Sequence, residues 1–255
     1  MRDANQLFDL SGKVALVTGG SRGMGKEMVL AFARAGADVA IASRKLESCE
    51  TLAEHVRKET GRRALAVACN VSDWTQNEKL AETALAHFGR VDVLVNNAGM
   101  SPLYDHVANV SEALWDKVIG VNLKGPFRLT ALLGKRMVEQ GGGSIIFVSS
   151  TGSLHPSGGI IPYAASKAGV NAMTVGFAHH FGPKVRVNCI IPGPFLTDIS
   201  KAWDMKAFEA RAKTDIFLQR GGQAQEIVGA ALYFASDASS FTTGAHLEVC
   251  GGGIG

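Results

Sequence analysis

The sequence predicts an α/β fold: one doubly wound parallel sheet of about seven strands, with helices on both faces. Three observations carry this. Short apolar runs of the buried-strand type alternate with longer helical patterns along the whole chain, the rhythm of βαβ units. The length of 255 residues, 46% of them apolar, suits one α/β domain with a single large core. No repeat, low-complexity segment or linker interrupts residues 1–255, and right-handed crossovers between parallel strands make such a sheet doubly wound.

The elements follow in order. Val14–Thr18 is a short apolar run that breaks into Gly19, Gly20, Ser21, Arg22, Gly23, Met24 and Gly25 before a helical pattern reaching Gly36. Asp38–Ala42 is the second strand; Ser43 and Arg44 follow it, then a helix ending at Gly61. Ala64–Ala68 is the third strand and leads to Cys69, Asn70 and Val71. Asp73 with Gln76 three residues on reads as a cap and capping partner for a helix to Phe88. Val91–Val95 is the fourth strand, followed directly by Asn96, Asn97, Ala98 and Gly99. Residues 111–118 and 119–139 read as helices, and Ser144–Ser149 as the fifth strand, which delivers Ser150. Pro162 opens a helix over 163–181. Val185–Ile190 is the sixth strand, running into Pro192, Gly193 and Pro194. Residues 195–220 are expected to be partly helical around 203–216, and helix 223–235 and strand 245–250 finish the chain.

Charge and composition exclude several classes. The net charge is +3 with no Lys/Arg-rich block, which argues against a nucleic-acid surface. No run of about 18 apolar residues appears, so no membrane span is expected. The polar opening MRDANQLFDLSGK lacks the apolar stretch of a secretory signal. Cys49, Cys69, Cys189 and Cys250 lack metal-ligand spacing; three lie in or beside apolar strand-like runs, where a reduced, buried thiol is the ordinary state. A cytoplasmic enzyme or binding protein with no metal is the expectation.

Two stretches carry chemistry. A Gly-rich turn between a strand and a helix lets the backbone approach a pyrophosphate, whose charge meets free N–H groups at the helix N-terminus. Here the spacing is Gly-x3-Gly-x-Gly (Gly19, Gly23, Gly25). Tyr163 and Lys167 are four apart on one helix, so their side chains share a face, and Ser150 lies thirteen residues before Tyr163. A phenol ionises near pH ~10, and an adjacent cation favours the phenolate, bringing the group toward general acid/base use. Taken alone the pair reads more readily as an ordinary amphipathic helix in which Tyr packs and Lys is solvated, and the chemistry needs its context.

Together these motifs resemble the short-chain dehydrogenase/reductase family over essentially the whole chain. TGGSRGMG at 18–25 is similar to its cofactor turn, NNAG at 96–99 to its fourth-strand motif and YAASK at 163–167 to its catalytic pair. The resemblance implies a Rossmann-type domain, with 10–191 mainly cofactor-binding and catalytic and 192–220 a substrate loop or lid. It implies a catalytic set of Asn122, Ser150, Tyr163 and Lys167. Tyr163 would protonate a substrate carbonyl oxygen that Ser150 also hydrogen-bonds. Lys167 would bind ribose hydroxyls and lower the Tyr163 pKa, and Asn122 would hold a water leading from Lys167; a helix-kink role for Asn122 is the alternative. The implied cofactor contacts are Gly19, Ser21, Arg22, Gly23, Met24, Gly25, Ser43, Arg44, Asn70, Val71, Asn97, Ala98, Gly99, Tyr163, Lys167, Pro192, Gly193 and Thr197.

NAD sites of this fold place an acid about twenty residues past the turn, whereas Ala42, Ser43 and Arg44 stand there. Arg22 and Arg44 suit a 2′-phosphate instead, which favours NADP(H) over NAD(H), although Glu47 could supply the missing acid. The expected activity interconverts a ketone and a secondary alcohol, with 3-oxoacyl-thioester reductases the nearest analogy. An NAD-dependent alcohol or sugar dehydrogenase, or a non-catalytic cofactor sensor, are the alternatives. Small residues along 163–181 (Ala164, Ala165, Ala168, Gly169, Ala172) point to close helix packing between subunits, and a homotetramer is expected.

Two positions depart from the family pattern. Asn70 replaces a usual Asp beside the adenine, where its amide still offers an acceptor, and Cys250 replaces a usual Asp near the C-terminus. His155 is expected on a loop surface, and His179 and His180 at a helix end serve dipole or packing. Trp203, Phe208 and Phe217 either line a lid or pack their own segment.

Overall fold

The computed structural model describes residues 3–198, 200 and 203–253. After a short turn at Ala4–Leu7 come β1 (Val14–Thr18), α1 (Gly23–Arg34), β2 (Asp38–Ser43), α2 (Leu46–Thr60), β3 (Ala64–Ala68) and α3 (Trp74–Phe88). The chain continues through β4 (Val93–Asn96), α4 (Glu112–Ile119), α5 (Gly125–Glu139), β5 (Gly143–Val148), α6 (Ile161–Phe181) and β6 (Val185–Pro192). An excursion of β7 (Phe195–Leu196), α7 (Met205–Asp215) and β8 (Gly222–Gln223) precedes α8 (Val228–Ala235) and β9 (His246–Val249).

Seven strands form one parallel sheet in the order β3-β2-β1-β4-β5-β6-β9, while β7 and β8 pair separately. Successive β1 residues face opposite apolar layers, Ala15 and Val17 toward one and Val14 and Leu16 toward the other, which is why the strand reads as an unbroken apolar run. The first layer packs Met28 and Phe32 of α1, Val56 of α2 and Phe234 of α8. The second packs Leu80 of α3, Leu133 of α5 and Phe181 of α6. Burying one such large apolar side chain contributes about 1.5–3 kcal/mol, so the two layers hold the sheet between them.

Element ends follow local chemistry. Asp73 caps α3 by accepting from the Gln76 N–H at 2.9 Å, and the Gln76 amide returns a bond at 3.2 Å, as its sequence pattern implies. Gly61 closes α2 in the left-handed region at φ 68°, where a Cβ would be strained. The helix expected over 203–216 is α7, started by Asp204, whose carboxylate accepts from the Ala207 N–H at 3.0 Å. The strand expected from Val91 begins at Val93, because the Asp92 carboxylate binds the Val14 N–H and Arg90. Helices α4 and α5, expected to abut, are joined through a single π turn, Gly120–Lys124. The final helix starts as a 3-10 turn, Ala224–Ile227.

Cys49, Cys69 and Cys189 are buried, and burial pushes the Cys69 and Cys189 thiols up to about 11. Cys250 is half-buried. No helix among the described residues is long and apolar enough to cross a membrane.

Candidate active site

Parallel register sets the C-terminal ends of the strands side by side: Thr18 opposite Ala42, Asn96 opposite Phe147, Val148 opposite Ile190. The strand order turns back between β1 and β4, the crevice where open α/β sheets receive ligands. A cavity of about 1570 Å³ opens along that edge. Every residue expected to touch cofactor lies on its wall, and so does Ser150.

The Gly-rich turn is held by long-range bonds. The Asn97 amide donates to the main-chain oxygens of Thr18 and Gly19 at 2.9 and 3.2 Å, and the Thr18 hydroxyl accepts from the N–H groups of Asn97 and Ala98. Gly25 is packed so closely that a Cβ would lie 2.2 Å from the Gly19 oxygen, so only glycine fits. No side chain caps the N-terminus of α1, leaving its N–H groups for an anion. A dinucleotide pyrophosphate fits this cradle. At the end of β2 the Ser21 hydroxyl donates to the Ser43 hydroxyl at 3.0 Å, and Arg44 and Lys45 line the wall. Glu47 is exposed in the first turn of α2 and outside the wall. Arg22 pairs with Asp198 at 3.2 Å, tying the turn to the segment after β7, where Thr197 sits across from Gly23.

Tyr163 stands in the first turn of α6 and Ser150 two residues past the end of β5; both border Gly152, where a Cβ would lie 3.5 Å from the Ser150 Oγ and 3.7 Å from the Tyr163 ring. The expected depression of the phenol is not what this geometry produces. Burial drives the Tyr163 pKa above its ordinary value, and the Ser150 hydrogen bond opposes it only in part. The Lys167 ammonium does not offset the burial: its Nζ sits 5.8 Å from the Tyr163 ring centroid and donates to the Val148 oxygen at 2.7 Å. Burial lowers Lys167 itself to about 8. The arrangement thus holds a proton-bearing phenol beside a hydroxyl and a buried amine.

Asn122 lies on the π turn and is fully buried, off the cavity wall. Its amide accepts from the Met100 N–H at 2.9 Å and donates to the Met100 oxygen and the Ser166 hydroxyl, so it ties the fourth-strand motif to α6. Asn70 lies on the cavity wall. Its amide oxygen already accepts from the N–H and hydroxyl of Ser72, so the acceptor assigned to adenine is engaged within the turn. Cys250 packs against Gly193, where a Cβ would come 2.8 Å from it.

Trp203 and Phe208 pack with tilted rings, centroids 5.3 Å apart, and line the cavity wall, while Phe217 is exposed and does not. His155 is exposed yet borders the same space. His180 packs its ring on Phe181. Leu103, Ile160, Ala207 and Arg211 also line the cavity. No sequence signal marks them, because they come from segments far apart that only the fold assembles.

Residues 13–207 match the short chain dehydrogenase family. The 3-oxoacyl-acyl-carrier-protein reductase of Thermotoga maritima is 38% identical over 244 residues, covering 95% of this chain and 98% of its own. A gluconate 5-dehydrogenase from Burkholderia cenocepacia, solved with NADP and tartrate, superposes with a TM-score of 0.93 at 33% identity, covering 98% of each chain. A 7α-hydroxysteroid dehydrogenase complexed with NADH and 7-oxo glycochenodeoxycholic acid superposes at 0.94 with 31% identity, covering 100% of this chain and 98% of that one.

Proposed function

The chain belongs to the short chain dehydrogenase family and is an oxidoreductase of alcohol and ketone substrates; from that premise we propose an NADP(H)-dependent enzyme with Tyr163 as its general acid/base. The observation that carries the reading is the placing of Tyr163 and Ser150 side by side with buried Lys167, in one cavity with the Gly-rich turn. The nicotinamide, when bound, supplies or accepts hydride at the carbinol carbon. Tyr163 gives its proton to the ketone oxygen in reduction and takes it from the alcohol in oxidation. Ser150 hydrogen-bonds the same oxygen as charge develops on it. Lys167, held by the Val148 oxygen, binds the ribose hydroxyls. Asn122 acts by holding Met100 and Ser166, and so the floor between them.

NADP(H) is supported by Arg44 and Ser43 at the end of β2, by Arg22 in the turn, and by Glu47 lying outside the wall. One observation favours the NAD(H) reading: Arg22 already has a carboxylate partner in Asp198, with which a 2′-phosphate must compete. A homotetramer is supported by exposed small residues on one face of α6, Ala165, Ala168 and Ala172. Turnover of a panel of ketones and secondary alcohols with both cofactors tests the reading. Faster use of NADPH upholds it; a preference for NADH, or no turnover with any pair, overturns it.

A further inference from the structure

The segment between Ser150 and Tyr163 has two unlike halves. Its beginning is fastened: the Ser153 hydroxyl donates to the Ser150 oxygen at 2.6 Å and accepts from the Asn171 amide at 2.8 Å. Its second half is exposed from Leu154 to Gly159, and the bonds at His155 and Ile160 reach only Thr151 and Ser157 within the segment. Gly158 and Gly159, which open a 3-10 turn to Ile160, have open space where a Cβ would stand. One side chain from elsewhere in the described residues reaches this half by hydrogen bonding. The Tyr104 hydroxyl donates to the Gly158 oxygen at 2.7 Å and accepts from the Ile161 N–H at 2.8 Å.

These two bonds match what the phenol offers, one donor and one acceptor, in the directions required. The Ile161 N–H is among the groups that a helix cannot satisfy from within, and it lies two residues before Tyr163. Tyr104 therefore caps the helix that bears Tyr163 while pinning the glycine hinge that leads into it. It also adjoins Leu103, which lines the cavity together with Ile160.

We propose that Tyr104 is a positioning residue: its hydroxyl clasps the Gly158–Gly159 hinge and the first turn of α6, keeping Tyr163 in register with Ser150 and setting the substrate mouth. The inference rests on Tyr163 being the acid. Without the clasp, the hinge samples more backbone conformations and the phenol spends less time in the reactive geometry.

Tyr104→Phe removes the hydroxyl and keeps the ring. With the ketone that the wild-type enzyme turns over best, kcat should fall about tenfold, the loss of two neutral hydrogen bonds from an ordered loop. NADPH affinity and Tm should stay near wild type, and amide exchange over 155–162 should quicken while the sheet is unchanged. Rescue separates positioning from general support. Gly158→Ala with Gly159→Ala, added to Tyr104→Phe, should recover most of kcat, since both sites have room and neither has a left-handed φ. Wild-type kcat and exchange in Tyr104→Phe, an equal loss of cofactor affinity and Tm, or no rescue by the alanines would each overturn the proposal. The exchange result does not depend on chemistry, so failure of the Tyr163 assignment shows separately, as activity retained by Tyr163→Phe.

Discussion

Lys167 gives its ammonium to the main-chain oxygen of Val148 at 2.7 Å, and not to the phenol of Tyr163 four residues before it. The helix brings the two side chains onto one face, but the nearest strong acceptor is the end of β5. The proton on Tyr163 is therefore governed first by burial and then by Ser150. Four expectations follow from this site.

Tyr163→Phe keeps the ring and its packing and removes the transferable proton. Reductase turnover should drop by about two orders of magnitude or more, with cofactor affinity within a few-fold of wild type. Steady-state rates alongside fluorescence titration of NADPH measure both. More than about a tenth of activity remaining would remove Tyr163 from the role of acid.

Without cofactor the Tyr163 phenol should titrate above its ordinary range, because burial penalises the phenolate. Ser150→Ala deletes the one hydrogen bond that pulls the value down, so the phenol should move higher still. Ultraviolet difference titration against Tyr163→Phe isolates this group from Tyr104 and Tyr233. A lower value in Ser150→Ala would show that the serine does not stabilise the phenolate.

Lys167, at about 8, is lowered by burial, so the folded protein resists its protonation more than the unfolded chain does. The unfolded chain then binds more protons between about pH 8 and the ordinary lysine value near ~10.4, and stability from this group rises with pH across that window. Lys167→Met abolishes the dependence. The Tm of cofactor-free Lys167→Met relative to wild type should be higher at pH 7 than at alkaline pH, while turnover is lost. A Tm difference that does not change with pH would mean that Lys167 is not shifted.

Arg44→Ala should weaken NADPH about 10- to 100-fold, the loss of a charge-assisted contact of about 1.5–3 kcal/mol, and leave NADH nearly unchanged. Calorimetric titration of both cofactors reads the difference. Equal losses for the two would show that Arg44 does not meet the 2′-phosphate.

Local order in the chain was enough to establish much of this protein. Alternating apolar runs such as Val14–Thr18 announce strands covered on both faces, and the four-residue step from Tyr163 to Lys167 puts both side chains on one helical face. Such features depend on backbone period and on neighbours a few residues away, which the order of the residues reveals directly. The partners of those residues were decided by the tertiary structure. Asn97 braces Thr18, Arg22 meets Asp198, Asn122 holds Met100, and Tyr104 reaches Gly158 and Ile161. The same holds for the proton on Tyr163, which the adjacent lysine alone would have loosened. Burial and long-range hydrogen bonds set it instead, because desolvation depends on everything that surrounds a group, and the folded sheet brings those surroundings together from distant parts of the chain.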